Sequence, residues 1–335
     1  MQKFTGTSSD YHRLLRFSFR PLVPFVTEPT FARAPFFAAA RHSVEHSARA
    51  VAVMVCECLP SIGQAVFVLV SFFIGKFVIG KLLQKSGEDV HNKEWKKDVV
   101  YLYQFPRSPV VPNLSPFCLK VETWLRAHDI KHEVVATSTQ RSSKGLLPFV
   151  ELNGKQIADS QMIIFELEKH FNIESKLSKE QQGISRAVDR LVDGNTFYAI
   201  IYSKIYENAS KLLSREVSGF PIPGFLTGVV GYLFGQKILA RIQAHGIGKF
   251  PPGVIYDQVR RDISAVDGIL GDKPYICGDE ASIADFTLFG HLATCYFLPY
   301  DQPMKDMLDH EFPRVRQHLH RMRDRFWSDW DQMCC

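Results

Sequence analysis

Ser115-Pro-Phe-Cys118-Leu-Lys-Val-Glu-Thr-Trp-Leu125 is the stretch on which the fold turns. Serine supplies an N-cap oxygen, and proline sits in a first helical turn without losing a hydrogen bond, so the stretch opens a helix. Just upstream, Asp98-Val-Val-Tyr-Leu-Tyr-Gln-Phe105 is a short run of β-branched and aromatic residues bounded by charge and by proline. That composition predicts a buried strand, with Pro106 to Asn113 as the loop between. Strand, loop and helix together form the entry to an α/β unit. Downstream, Lys131 to Ala136 and Leu147 to Leu152 read as further strands, and Asn153-Gly154 as a hairpin turn before Gln156-Ile157-Ala158. Ser160 then reads as the cap of a helix whose apolar face includes Ile163, Ile164 and Leu167.

The C-terminal half is helical in pattern. Val188, Leu191, Val192, Ala199, Ile200 and Ile205 keep helical periodicity between 183 and 213, with an aromatic cluster at Phe197, Tyr198, Tyr202 and Tyr206. After Pro221 and Pro223, the run from Gly224 to Gln236 is uncharged but too short to span a bilayer. Its glycines allow close helix contact, and it reads as a packed helix or as a surface resting on lipid or on a second subunit. Val254 to Leu270 is amphipathic. Ser282 and Asp285 have capping-box spacing ahead of a core helix that begins at Phe286, Leu288 and Phe289.

At 335 residues, 46% hydrophobic and 22% charged, the chain is long enough for two domains with their own cores. A net charge of +5, scattered along the sequence, gives no footprint for nucleic acid, which is excluded as a partner. Seven cysteines without regular spacing fit neither a disulfide framework nor a metal site, and point to a reducing compartment. Apolar residues concentrate near the N-terminus. From Cys58 to Gly75 there are 18 uncharged residues, and the run continues past Lys76, which predicts a single membrane helix over 61–83. Lys76, Lys81, Lys85, Lys93, Lys96 and Lys97 follow it, against Arg49 before it, so the C-terminal domains are expected to face the cytoplasm. Residues 1–60 form a Pro-interrupted basic leader, expected to be disordered, with a mitochondrial presequence as the alternative. The remaining boundaries are a linker over 84–97, an α/β domain over 98–175, an all-helical domain over 176–330 and a tail over 331–335.

The order of strand, Ser115-x-x-Cys118 at a helix start, Leu147-Pro148 before a hairpin and Asp159-Ser160 opening a helix resembles the thioredoxin-like N-terminal domain of glutathione transferases. Asn113-Leu-Ser-Pro-Phe-Cys-Leu-Lys120, Ala244-His-Gly-Ile-Gly-Lys-Phe250, Leu270-Gly-Asp-Lys273, Phe289-Gly-His-Leu-Ala293 and Arg325-Phe-Trp-Ser-Asp-Trp330 narrow it. They resemble the failed axon connections family, a relative of the metaxins and the cadmium-responsive proteins. The resemblance covers 98–330 and implies a thioredoxin-like domain followed by an all-α domain, in the manner of glutathione transferases. It also implies that Ser115 faces the glutathione sulfur, that a cis Pro148 exposes the Leu147 backbone to the cysteinyl part, and that Asp159 and Ser160 hold the γ-glutamyl end. Cys118 offers a thiol and Tyr103 a rival hydroxyl; as residues, each is better explained by burial. Two functions follow as expectations. One is a membrane-tethered adaptor in axon development with weak or no transferase activity, using a protein partner or a second copy. The other is an active glutathione transferase in detoxification or metal stress. Cys334-Cys335 offers thiols for lipid, and Asn113 and Asn208 stand in glycosylation sequons that a cytoplasmic domain leaves bare.

Overall fold

The computed structural model describes residues 90–334. The leader and the membrane helix expected over 61–83 lie outside the described residues, and among those described no helix is long and apolar enough to cross a membrane.

At the centre of the α/β half runs β1 (Val100–Gln104), buried along its whole length. It pairs in parallel with β2 (His132–Ala136), a half-exposed edge, and antiparallel with β3 (Phe149–Leu152). β3 turns back into β4 (Lys155–Ala158), giving the order β2-β1-β3-β4. A parallel pair requires a crossover, and α1 (Pro116–Ala127) supplies it. At the hairpin, Asn153 and Gly154 take φ of 49° and 77°, the left-handed pair that a two-residue turn of this twist needs. α2 (Ser160–His170) follows β4 directly.

Strand alternation sorts the sheet's two faces. Val100, Leu102, Val150 and Leu152 enter the main core with Leu119, Trp124 and Ile163, while Tyr101, Tyr103 and Phe149 belong to a second cluster. The expected linker crosses that second face. The His91 and Asn92 N–H groups donate to the Glu151 carboxylate at 2.6 and 2.9 Å, and the His91 ring lies 5.5 Å from both Tyr103 and Phe149. A stretch with no apolar period is thus docked by its backbone, because a buried carboxylate needs donors.

The helical half begins with α3 (Lys179–Leu191), opened by the Ser178/Gln181 capping box. The single periodicity expected over 183–213 is broken into α4 (Phe197–Ile201), α5 (Ala209–Leu212) and two widened π-helical segments, Val192–Thr196 and Tyr202–Glu207. The first widened turn is held from outside. Asn195 and Thr196 both donate to Asp262, at 2.8 and 2.7 Å, and the Gly194 carbonyl meets His245 Nε2 at 3.1 Å. α6 (Arg215–Ser218), α7 (Gly224–His245), α8 (Pro252–Leu270), α9 (Ile283–Tyr296), α10 (Pro303–His310), α11 (Pro313–Phe326) and α12 (Trp330–Met333) complete the order.

α9 is the spine of this half, buried from Ala284 to Cys295. It lies against α1 at Gly290, where a Cβ would come within 2.7 Å of the Pro116 carbonyl and 2.9 Å of Lys120 Cβ, so a side chain there would force the helices apart. Its entry is the expected capping box, deepened by tertiary contacts. Buried Asp285 accepts from the Ser282 N–H (2.8 Å) and hydroxyl (2.7 Å), from the Ile276 N–H (2.8 Å), and meets His318 Nε2 at 2.8 Å. Removing that acceptor strands several buried donors, whereas the Ser178 cap of α3 is exposed. Asp285→Ala is therefore expected to cost about 3 kcal/mol or more of unfolding free energy. Ser178→Ala should cost only about 1 kcal/mol. Urea midpoints of the two variants check the ordering.

Candidate functional site

Strand register brings the expected residues to one end of the sheet. Tyr103 pairs with Phe149, and Phe149 pairs with Ala158. The residues just past β1, just before β3 and just after β4 are therefore neighbours: Phe105, Leu147-Pro148 and Asp159-Ser160. Asn113 ties the start of α1 to the same place, its Nδ2 donating to the Phe105 carbonyl and its Oδ1 accepting from the Ser115 N–H, each at 2.9 Å. Cys118, Leu147 and Ala158 pack in one apolar cluster. The N-termini of α1 and α2 consequently flank the Leu147 backbone.

Ser115 is the N-cap of α1, half-buried, with its Oγ accepting from the Cys118 N–H at 3.5 Å. The Leu147-Pro148 peptide is cis. Neither the N–H nor the carbonyl of Leu147 is hydrogen-bonded among the described residues. Asp159, not Ser160, caps α2: it stands at φ 86°, ψ 127°, and its Oδ1 accepts from the N–H groups of Gln161 and Met162 at 3.0 and 3.3 Å. A non-glycine residue held there costs on the order of 1–3 kcal/mol, and such strain gathers at binding sites. Ser160 becomes the first helical residue. It is buried, and its hydroxyl makes no side-chain hydrogen bond among the described residues.

Two expected candidates leave the site. Cys118 is fully buried, and burial pushes its thiol up to about 12, so it stays protonated and out of reach. Tyr103 is buried on the face that residues 90–97 cross, stacked on Phe149 at 4.4 Å and donating to Glu151 Oε2 at 3.0 Å. Burial and the Glu151 charge raise its pKa, and its hydroxyl is already used. Of the three, Ser115 alone is not fully buried. The long loop 106–113 bridges rather than floats: Arg107 forks onto Glu122 at 2.7 and 2.6 Å, and Ser108 Oγ donates to the Val217 carbonyl at 2.7 Å. The same packing buries Asn113, the acceptor residue of its sequon.

Sequence reasoning missed the polar cluster behind the site. Lys120 and Asp189, both fully buried, meet at 2.9 Å. Asp189 also accepts from Thr287 Oγ1 and Gln161 Nε2, each at 2.7 Å, and from Arg186 at 3.0 Å. Burial opposes its charge, but Lys120 and these donors outweigh that and hold its carboxyl below the ordinary range. The only sequence signal was a lysine among the apolar residues of α1. Next to it, His291 Nδ1 meets the Thr287 carbonyl at 2.8 Å, while Nε2 has no hydrogen-bond partner and lies 3.6 Å from Asp193. An opening of about 530 Å³ between Trp124, His128, Glu168 and Arg325 sits at the C-terminal ends of α1 and α2, away from Ser115 and Ser160.

A family model described as the glutathione S-transferase N-terminal domain matches residues 116–210, and one described as the glutathione S-transferase C-terminal domain matches 259–322. The chain belongs to the glutathione-transferase-like family. Within that family it is 35% identical over 260 residues to the Drosophila melanogaster protein named Failed axon connections, covering 73% of this chain and 62% of that one. The chain thus spans about three fifths of that relative's length. It is 28% identical over 205 residues to an isoprene-epoxide glutathione S-transferase of Rhodococcus sp. strain AD45, covering 58% of this chain and 85% of the relative. Over 185 residues it is 25% identical to a metaxin-2 homolog of Caenorhabditis elegans, covering 53% and 79%.

The buried histidine of this family member makes stability pH-dependent. Burial drives His291 down to about 4 from an ordinary 6.5. Between those values the unfolded chain holds a proton that the folded chain refuses. Stability is therefore complete above about pH 6.5 and falls as pH drops toward 4, by at most on the order of 3 kcal/mol. Urea midpoints measured from pH 7 to 4 should decline for the parent chain and decline less for His291→Gln.

Proposed function

We propose that this chain is a membrane-tethered adaptor of the failed axon connections type that holds glutathione with weak or no transferase turnover. The observation that carries the ligand is the pair of unused groups at the meeting of two helix N-termini: the Leu147 backbone edge and the Ser160 hydroxyl. A cysteinyl peptide suits the first, which pairs as a strand would. The carboxylate and amine of a γ-glutamyl group suit Ser160, with its helix N-terminus, and the exposed Asp159. Ser115, at the N-terminus of α1, is placed to donate to the sulfur and favour its thiolate. The residues present therefore fit the peptide.

The tether is a single-pass helix over 61–83, supported by the uncharged run there and by the lysines that follow it, which put the C-terminal domains in the cytoplasm. The adaptor role is supported by the Drosophila relative, whose name ties it to axon connections. In this reading the helical half recruits a protein partner or a second copy. The second reading, an active transferase in detoxification or metal stress, is favoured by the half-buried Ser115 hydroxyl and by the Rhodococcus relative's name.

Calorimetric titration of glutathione into the detergent-solubilised full chain separates the readings. Ser160→Ala is expected to weaken binding by about tenfold, or about 1.4 kcal/mol. Equal affinity in that variant removes the site. Conjugation of an electrophilic aryl chloride should run near the uncatalysed rate, and a rate abolished by Ser115→Ala would establish the enzyme instead.

A further inference from the structure

The first half of α7 carries most of its large side chains outward. There it approaches its neighbours through glycine: a Cβ on Gly231 would lie 2.9 Å from the Ser210 nitrogen, and one on Gly235 3.5 Å from the Tyr206 carbonyl, before Ile238, Leu239 and Ile242 pack inward further along. The helix therefore lies flat on the segment 206–210 through its smallest residues. On the opposite side Phe225 is 83% exposed, Val229 60%, Tyr232 66% and Leu233 63%, a spacing that keeps them on one helical face. Leu226 and Val230 are exposed beside them. A contiguous apolar stripe of this kind marks an interaction surface.

Charge selects the occupant. No charged residue stands between Glu216 and Lys237, and over 211–245 the cations Lys211, Arg215, Lys237 and Arg241 face the single carboxylate Glu216. The stripe thus lies within a stretch of net positive charge. Lys211 lies 5.6 Å over the Tyr300 ring, and Arg241 lies 5.4 and 5.7 Å over Phe197 and Tyr198, contacts that hold these cations in place without cancelling their charge. A second copy meeting this stretch through the same face would set one net positive charge against another. A bilayer with anionic headgroups takes the apolar stripe at its acyl boundary and the flanking cations among its phosphates.

We infer that the outer face of α7 is a second membrane contact, lying in the surface of an anionic bilayer. The choice of lipid rests in part on the tether proposed above. Residues 91 and 92 are docked on Glu151, eight positions after the end of the proposed tether, a separation that a fully extended chain spans in about 28 Å at most.

The test uses the full chain carrying Tyr232→Trp, in phosphatidylcholine vesicles with and without phosphatidylserine. Relative to the parent chain, the added tryptophan should be quenched by lipids brominated in their acyl chains when phosphatidylserine is present. Adding Val229→Lys and Leu233→Lys, both outward and away from the core, should abolish that quenching. Carbonate extraction reports the tether separately. Protein that resists carbonate while Trp emission stays unquenched overturns the α7 contact and leaves the tether standing. Protein that carbonate releases, but that floats at neutral pH with anionic vesicles and is quenched, supports α7 and removes the tether. Absence of both overturns both. A halved molecular mass in detergent caused by the two lysines would show that a second copy covers the stripe, and would also overturn the inference.

Discussion

Lys120 is a charged side chain with no exposure, and its ammonium is tolerable there only because Asp189 meets it. The pair joins more than two helices. Through Asp189 it engages Thr287 of α9 and Gln161 of α2, so α1, α2, α3 and α9 share one carboxylate. Gly290 permits the close approach of α1 and α9 that encloses it. An apolar replacement of the pair could match its stability, but not its direction: hydrogen bonds specify where Gln161 and the first turn of α1 sit, and dispersion contacts do not. The two helix N-termini that frame the candidate site are positioned by this buried charge.

That dependence explains the division of labour at the site. Groups facing inward are already spent, as with the Tyr103 hydroxyl on Glu151 and the Asn113 amide on the Phe105 carbonyl. Those at the open end of the sheet are not, as with the Leu147 backbone and the Ser160 hydroxyl. A thiol in the first helical turn looks reactive until its burial is known. Cys118 is inert because the same packing that places Ser115 removes water from Cys118.

A similar inversion governs the surfaces. The approach segment 90–97, mostly polar, is pinned by a buried carboxylate, while α7, uncharged throughout its first half, leaves an apolar stripe exposed. Hydropathy alone assigns these two the other way round. Glycine at Gly231 and Gly235 decides the second case, since a helix that packs through glycines must turn its larger residues away.

What the amino-acid sequence determined by itself was local. The strand of Val100–Gln104, the Asn153-Gly154 hairpin, the Ser115 cap and the Ser282/Asp285 box each depend on residues within a few positions of one another, and the order of such signals was enough for the fold class. Between adjacent Asp159 and Ser160 the choice of cap was not legible, because either side chain can cap and the backbone at φ 86° decides. Only the tertiary structure could join Lys120 to Asp189, 69 residues apart, or Glu151 to His91, 60 apart. Propensity and capping act over one helical turn. Burial of a charge, and the exposure of an apolar face, depend on which distant surface arrives to cover it.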